Sequence, residues 1–120
     1  MEVNRIDLIL LSNQYDLIDS SVYGLLEIAI IFDQIDVTKL LLLSGIKMNR
    51  IGEYIHTPLT MTTWFNRVAI LKLLLQYGCD LEYPDGNGST ALYRATQKND
   101  LAIIHLLIEQ GAQIDVIGSF

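Results

Sequence analysis

Lys39-Leu40-Leu41-Leu42-Leu43-Ser44-Gly45, Lys72-Leu73-Leu74-Leu75-Gln76-Tyr77-Gly78 and His105-Leu106-Leu107-Ile108-Glu109-Gln110-Gly111 are one phrase written three times at intervals of 33 residues. A polar residue precedes an aliphatic run, and a glycine closes it. Leu26, Leu59 and Leu92 keep the same interval upstream of each phrase. Self-similarity at a fixed period of this length marks an array in which each unit is one supersecondary element that buries its apolar face only by stacking on a neighbour.

Around the phrase, each unit reads as two short antiparallel helices and an extended turn. In the second unit, Thr57 is placed to cap a helix whose first position is Pro58, where a missing N–H costs nothing. That helix is predicted from Pro58 to about Phe65, with Asn66 in a left-handed turn, and a second helix over Val68–Tyr77 carries Val68, Leu71, Leu74 and Leu75 on one face. Gly78 then ends it as a left-handed cap. The third unit repeats this grammar: Thr90 to Lys98, a turn at Asn99, Asp100 as cap, Leu101 to Gln110, and Gly111. The first unit has Gly24-Leu25-Leu26 in place of a threonine cap, so its first helix is expected to start near Ser20 or Ser21. Asp33-Gln34 makes its turn and Ile35 to Ser44 its second helix. Between the second and third units, Asp85, Gly88 and Thr90 have a D-x-x-G-x-T spacing, and Asp-Gly and Asn-Gly pairs are strong turn formers. The corresponding stretch Asn49-Arg50-Ile51-Gly52-Glu53-Tyr54-Ile55-His56 keeps the length but lacks the aspartate, and a distorted finger is expected there.

The period of 33 with Thr57-Pro58-Leu59 and Thr90-Ala91-Leu92 resembles the ankyrin repeat, whose signature is T-P-L-H-x-A followed by two helices and a hairpin. The resemblance covers about residues 24–117. It implies an all-α, helix-turn-helix solenoid with short extended finger turns and a concave face that binds protein without catalysis. On this reading residues 1–19 form an N-terminal cap or half-repeat, 20–56 repeat one, 57–89 repeat two, and 90–120 repeat three with a C-terminal tail. No polar capping unit follows Ile114-Asp115-Val116-Ile117-Gly118-Ser119-Phe120. Self-association through the third repeat, a fold-back of the last residues and continuation in a longer chain all remain open.

The 120 residues are 51% apolar with a mean hydropathy of +0.34, ample for one core. The apolar runs stop well short of the roughly 20 residues that span a bilayer, so no membrane association is expected. Met1-Glu2-Val3-Asn4-Arg5 places an acid ahead of the apolar stretch, and no small-residue cleavage pattern follows Leu11; a secretory signal is not expected. Cys79 is the one cysteine. It excludes an internal disulfide and suits a reducing, cytoplasmic setting, with a small buried core residue as its expected role. The net charge of −6 is spread evenly, with seven acids and four bases in each of residues 1–50 and 51–120. A nucleic-acid backbone demands a basic footprint that is missing here. An acidic array would steer a basic partner, a reading that includes an immunity or inhibitor protein neutralising a basic toxin; equally, the charge serves solubility.

No catalytic or cofactor constellation can be assembled. Two histidines and one cysteine make no zinc set. His105 aligns with Lys39 and Lys72 and is expected in solvent. Asp85-Gly86-Asn87-Gly88 lacks the glutamate that a calcium loop needs. Phosphate-cradling glycine motifs are absent. No enzyme, metal or cofactor is expected.

What stands out is the side chains at finger tips and at the ends of first helices, the positions that the resemblance assigns to partner contact. Repeat two places Glu53, Tyr54, His56, Met61, Trp64 and Phe65 there, four of the six aromatic or histidine. Repeat one offers Tyr23, Ile28, Ile31 and Phe32; repeat three offers Asn87, Ser89, Arg94, Gln97 and Lys98. The partner-binding candidates are accordingly Tyr23, Phe32, Glu53, Tyr54, His56, Met61, Trp64, Phe65, Arg94, Gln97 and Lys98. Aromatic anchors are what binding hot spots are made of. The competing reading is that Trp64, Phe65 and Phe32 pack on one another or on residues 1–19 to repair irregular repeats.

Overall fold

The computed structural model of the chain describes residues 23–49, 51 and 55–114, and of Tyr23 the backbone alone. The helices here are α1 (Tyr23–Ile31), α2 (Ile35–Leu43), α3 (Pro58–Trp64), α4 (Val68–Gln76), α5 (Ala91–Gln97) and α6 (Leu101–Glu109). They are paired as α1 with α2, α3 with α4 and α5 with α6. The first helices stack in the row α1, α3, α5, and α2 stacks on α4. No strand occurs among the described residues. The expected N-terminal cap, the start of the first helix near Ser20 or Ser21, and most of the finger before Ile55 lie outside the described residues.

All six helices close by the same device. In the second helices, Gly45, Gly78 and Gly111 take φ of 85°, 87° and 97°. The following N–H of Ile46, Cys79 and Ala112 returns to the carbonyl five residues back on Leu41, Leu74 and Leu107. In the first helices the left-handed residue is Asp33, Asn66 or Asn99, with φ of 55–57°. The N–H groups of Gln34, Arg67 and Asp100 then reach Ala29, Thr62 and Ala95. Short polar side chains tolerate this geometry, and the closure satisfies carbonyls that a helix end otherwise leaves unpaired.

The starts are more individual. Thr57 Oγ1 accepts from the N–H of Thr60 at 3.1 Å, and Thr60 Oγ1 accepts from the N–H of Thr57 at 2.8 Å, a reciprocal cap with Pro58 just inside it. Thr90 and Asp100 cap α5 and α6. α2 and α4 begin at Gln34 and Arg67 without a side-chain cap.

Leu26, Leu59 and Leu92 are buried, as are Leu41, Leu74 and Leu107. One core runs through the stack. The middle helix departs from simple aliphatic packing, because Thr62 occupies the slot that Ala29 and Ala95 fill in the flanking repeats. Its hydroxyl is satisfied by donating to the Leu59 carbonyl at 2.6 Å.

Neighbouring repeats are also joined by side chains that bond to the next repeat's main chain. Asn49 Oδ1 accepts from the N–H of Asp80 at 2.9 Å, and in the same register Glu82 Oε2 accepts from the N–H of Gln113 at 3.0 Å. Arg67 Nε donates to the carbonyl of Ile30 at 3.0 Å and its Nη2 to that of Ile31. Lys98 Nζ donates to the carbonyl of Trp64 at 2.6 Å. Each cation thus sits at the carbonyl end of the preceding first helix, where the helix dipole favours positive charge.

Candidate functional site

The ends of α1 and α3 carry the exposed aromatics. Ile31 and Trp64 are the last helical residues, and Phe32 and Phe65 follow at the same register. Phe32, Trp64 and Phe65 are 44%, 39% and 38% exposed, with Ile28 and Ile31 close behind. Since α1 and α3 are stacked and Arg67 bridges their ends, these side chains form one continuous apolar edge. Whether residues 1–19 lie against it falls outside the described residues.

Trp64 is held rather than loose. The ammonium of Lys98 lies 4.6 Å from its ring centre, and the His56 imidazole packs beside it at 5.7 Å with the planes tilted by 31°. His56 Nδ1 is 3.5 Å from Thr60 Oγ1. Burial lowers the His56 pKa from its usual 6.5, Arg94 lowers it further, and Asp85 works in the opposite direction. The imidazole therefore meets the indole in its neutral form at pH 7.

Behind His56 the finger between repeats two and three is built on Asp85. Its Oδ1 accepts from the N–H groups of Asn87 at 2.9 Å and Ser89 at 3.0 Å, and its Oδ2 is paired with Arg94 Nε at 2.9 Å. Burial would raise this carboxyl's pKa, but the N–H of Ser89, the Arg94 guanidinium and the N–H of Asn87 together hold it below 3.8. The finger also leans on its predecessor, as Gly86 N–H donates to the Ile55 carbonyl at 2.7 Å. A Cβ at Gly86 would stand 3.2–3.3 Å from Ile55 atoms, so glycine permits this approach.

Several expected contact residues need correction or relocation. Met61 is 3% exposed and does not belong to the edge. Its counterpart Ile28 is exposed, but α3 is covered by α1 on one side and α5 on the other, so the same register position is sealed in the middle repeat. Arg94 is half-buried and its charge is matched by Asp85; its Nη1 donates to Gln97 Oε1 at 3.0 Å. Its role is to hold the finger. Gln97 and Lys98 are exposed. Glu53, Tyr54 and the Tyr23 side chain lie outside the described residues. Sequence reasoning missed the Lys98–Trp64 and Arg67–Ile31 ties, because a cation one residue past a helix end gives no sign of which carbonyl it will reach.

Elsewhere the chemistry is quiet. The Cys79 thiol is buried, 3.4 Å from Asn49 Oδ1, and burial with the nearby Asp80 carboxylate pushes its pKa up to about 12, which makes it a poor nucleophile. His105 is exposed. Among the described residues no group of His, Cys, Asp and Glu could hold a metal ion, and no helix is long and apolar enough to cross a membrane.

No curated protein sequence matches the chain. A family model described as "Ankyrin repeats (3 copies)" matches residues 26–117, most of the chain and all three units. With the period, the paired helices and the stacked first helices in agreement, the chain belongs to the ankyrin-repeat family.

Proposed function

We propose that this protein is a non-catalytic binding module that grips a partner protein on the concave side of the array, through the edge made by Phe32, Trp64 and Phe65. Ankyrin repeats are generally protein-protein interaction modules. The observation that carries the assignment to this edge is the exposure of three aromatics at matching positions of adjacent repeats, together with the packing of His56 and Lys98 around Trp64. An aromatic ring pre-ordered by its neighbours loses little conformational entropy on binding, which is how hot-spot anchors gain affinity. The buried, inert Cys79 suits a reducing compartment, and a cytoplasmic site of action goes with this reading.

The test is the double substitution Trp64→Ser with Phe65→Ser, used in affinity capture from the native cell. Binding should fall by about 2–4 kcal/mol while the helical circular dichroism stays in place. A variant that unfolds would show that the rings serve the core, and one that binds normally would move the contact surface elsewhere.

A second reading, self-association through the third repeat, draws on one gradient. Leu42 is 6% exposed, Leu75 half-buried and Ile108 41% exposed at a single register position. The outer face of repeat three thus presents apolar surface of the kind that earlier repeats cover. Light scattering across a concentration series, with Ile108→Arg as control, distinguishes a dimer from a monomer.

A further inference from the structure

Resting on the binding edge just described, we propose that the segment it takes is an amphipathic helix of the partner, with two apolar residues seven apart and a carboxylate a further seven along, laid across the turn ends of α1, α3 and α5. At one register position the three repeats read Phe32, Phe65 and Lys98, and at the preceding one Ile31, Trp64 and Gln97. The edge is therefore apolar over two repeats and cationic at the third.

Stacked helices lie about 8–10 Å apart, so contact points recur at that interval along the edge. A helix advances about 10.5 Å in seven residues and returns nearly the same face to the surface each time. An extended strand covers the distance in about three residues and presents opposite faces at successive contacts. The spacing thus selects a helix.

The charges set its direction. Lys98 Nζ lies over Trp64, and the Arg67 guanidinium sits at the α1 carbonyls between the two apolar contact points. Arg94 is matched by Asp85, and Asp100 Oδ1 is engaged by the N–H of Ile103. At the opposite end of the edge, Asp33 adjoins Phe32 and would repel a carboxylate. The net charge of −6 favours basic partners at long range, but its field is screened beyond about 8 Å at physiological salt, and at contact Lys98 and Arg67 govern the choice.

Two labelled synthetic helical peptides test this, identical except at one position: leucine at i and i+7 in both, with glutamate or lysine at i+14. Fluorescence anisotropy at low salt is expected to show the glutamate peptide binding about tenfold more tightly, the scale of exchanging an exposed attraction for a repulsion. Lys98→Glu should reverse the preference. Binding that is lost in the Trp64→Ser, Phe65→Ser variant yet indifferent to the glutamate–lysine exchange overturns this inference and leaves the surface assignment standing. Binding that persists in that variant overturns the surface assignment itself. If neither peptide binds at millimolar concentration, the helical occupant is excluded.

Discussion

Lys98 engages Trp64 twice, with its ammonium 4.6 Å from the indole centre and donating to the same residue's carbonyl at 2.6 Å. One side chain thereby closes the carbonyl end of α3 and fixes the aromatic ring that the helix presents. Lys98→Ala should therefore lower stability by about 1 kcal/mol, combining a cation–π contact with a helix-end charge. Trp64 is the chain's one tryptophan, so its emission reports the loosened ring without any partner. A Lys98→Ala variant with unchanged emission and melting would show the contact to be idle.

His56 supplies a pH response at the same ring. Its folded pKa lies below the unfolded 6.5, so the unfolded chain binds the proton more readily. Stability is full above pH 6.5 and declines as pH falls from there to the folded pKa, below which both states are protonated. Trp64 emission should titrate with a midpoint below 6.5, and the titration should vanish in His56→Gln. A persisting titration would assign it to another group.

Asp85 acts in a lower window. Its folded pKa is depressed, so its contribution is fully present above the unfolded 3.8 and is lost as pH falls through the folded value. Asp85→Ala should cost about 3 kcal/mol or more at pH 7, because it leaves the Arg94 charge unpaired and two finger N–H groups without their acceptor. Denaturant melts of the variant should also lose part of the wild-type pH dependence below pH 4.

Leu74 is fully buried between the stacked helices, and Leu74→Ala should cost about 2–5 kcal/mol. At Gly78, φ of 87° is a left-handed conformation, so Gly78→Val should cost about 1–2 kcal/mol even though open space surrounds the position. Chemical denaturation of the two variants separates packing from backbone strain. A melting temperature unchanged in either would refute the corresponding role.

The helices could be read in advance because their determinants are local and periodic. Thr57-Pro58, Thr90 and Asp100 mark starts, and Asn66, Asn99, Gly78 and Gly111 mark ends, within a residue or two of the elements found. Surface positions were less legible. Register alone puts Met61 beside Ile28 and Arg94, but its exposure depends on how many neighbours flank the helix, and a middle repeat has two. Arg94 read as a contact residue because nothing local announces that Asp85, nine positions earlier, folds back onto it at 2.9 Å. Long-range pairing of this kind is decided by tertiary geometry, whereas caps and turns are written within four residues.

The ties between repeats have a common form with a consequence for how this surface can change over time. Asn49, Glu82, Arg67 and Lys98 each reach across to main-chain atoms of the neighbouring unit, and never to its side chains. A peptide carbonyl or amide is supplied by almost any residue. Ile31 and Trp64 can therefore be exchanged for other side chains while their carbonyls continue to anchor Arg67 and Lys98. Substitution at the recognition edge is insulated from the fastening of the array, so drift in what the protein recognises need not loosen how it is assembled.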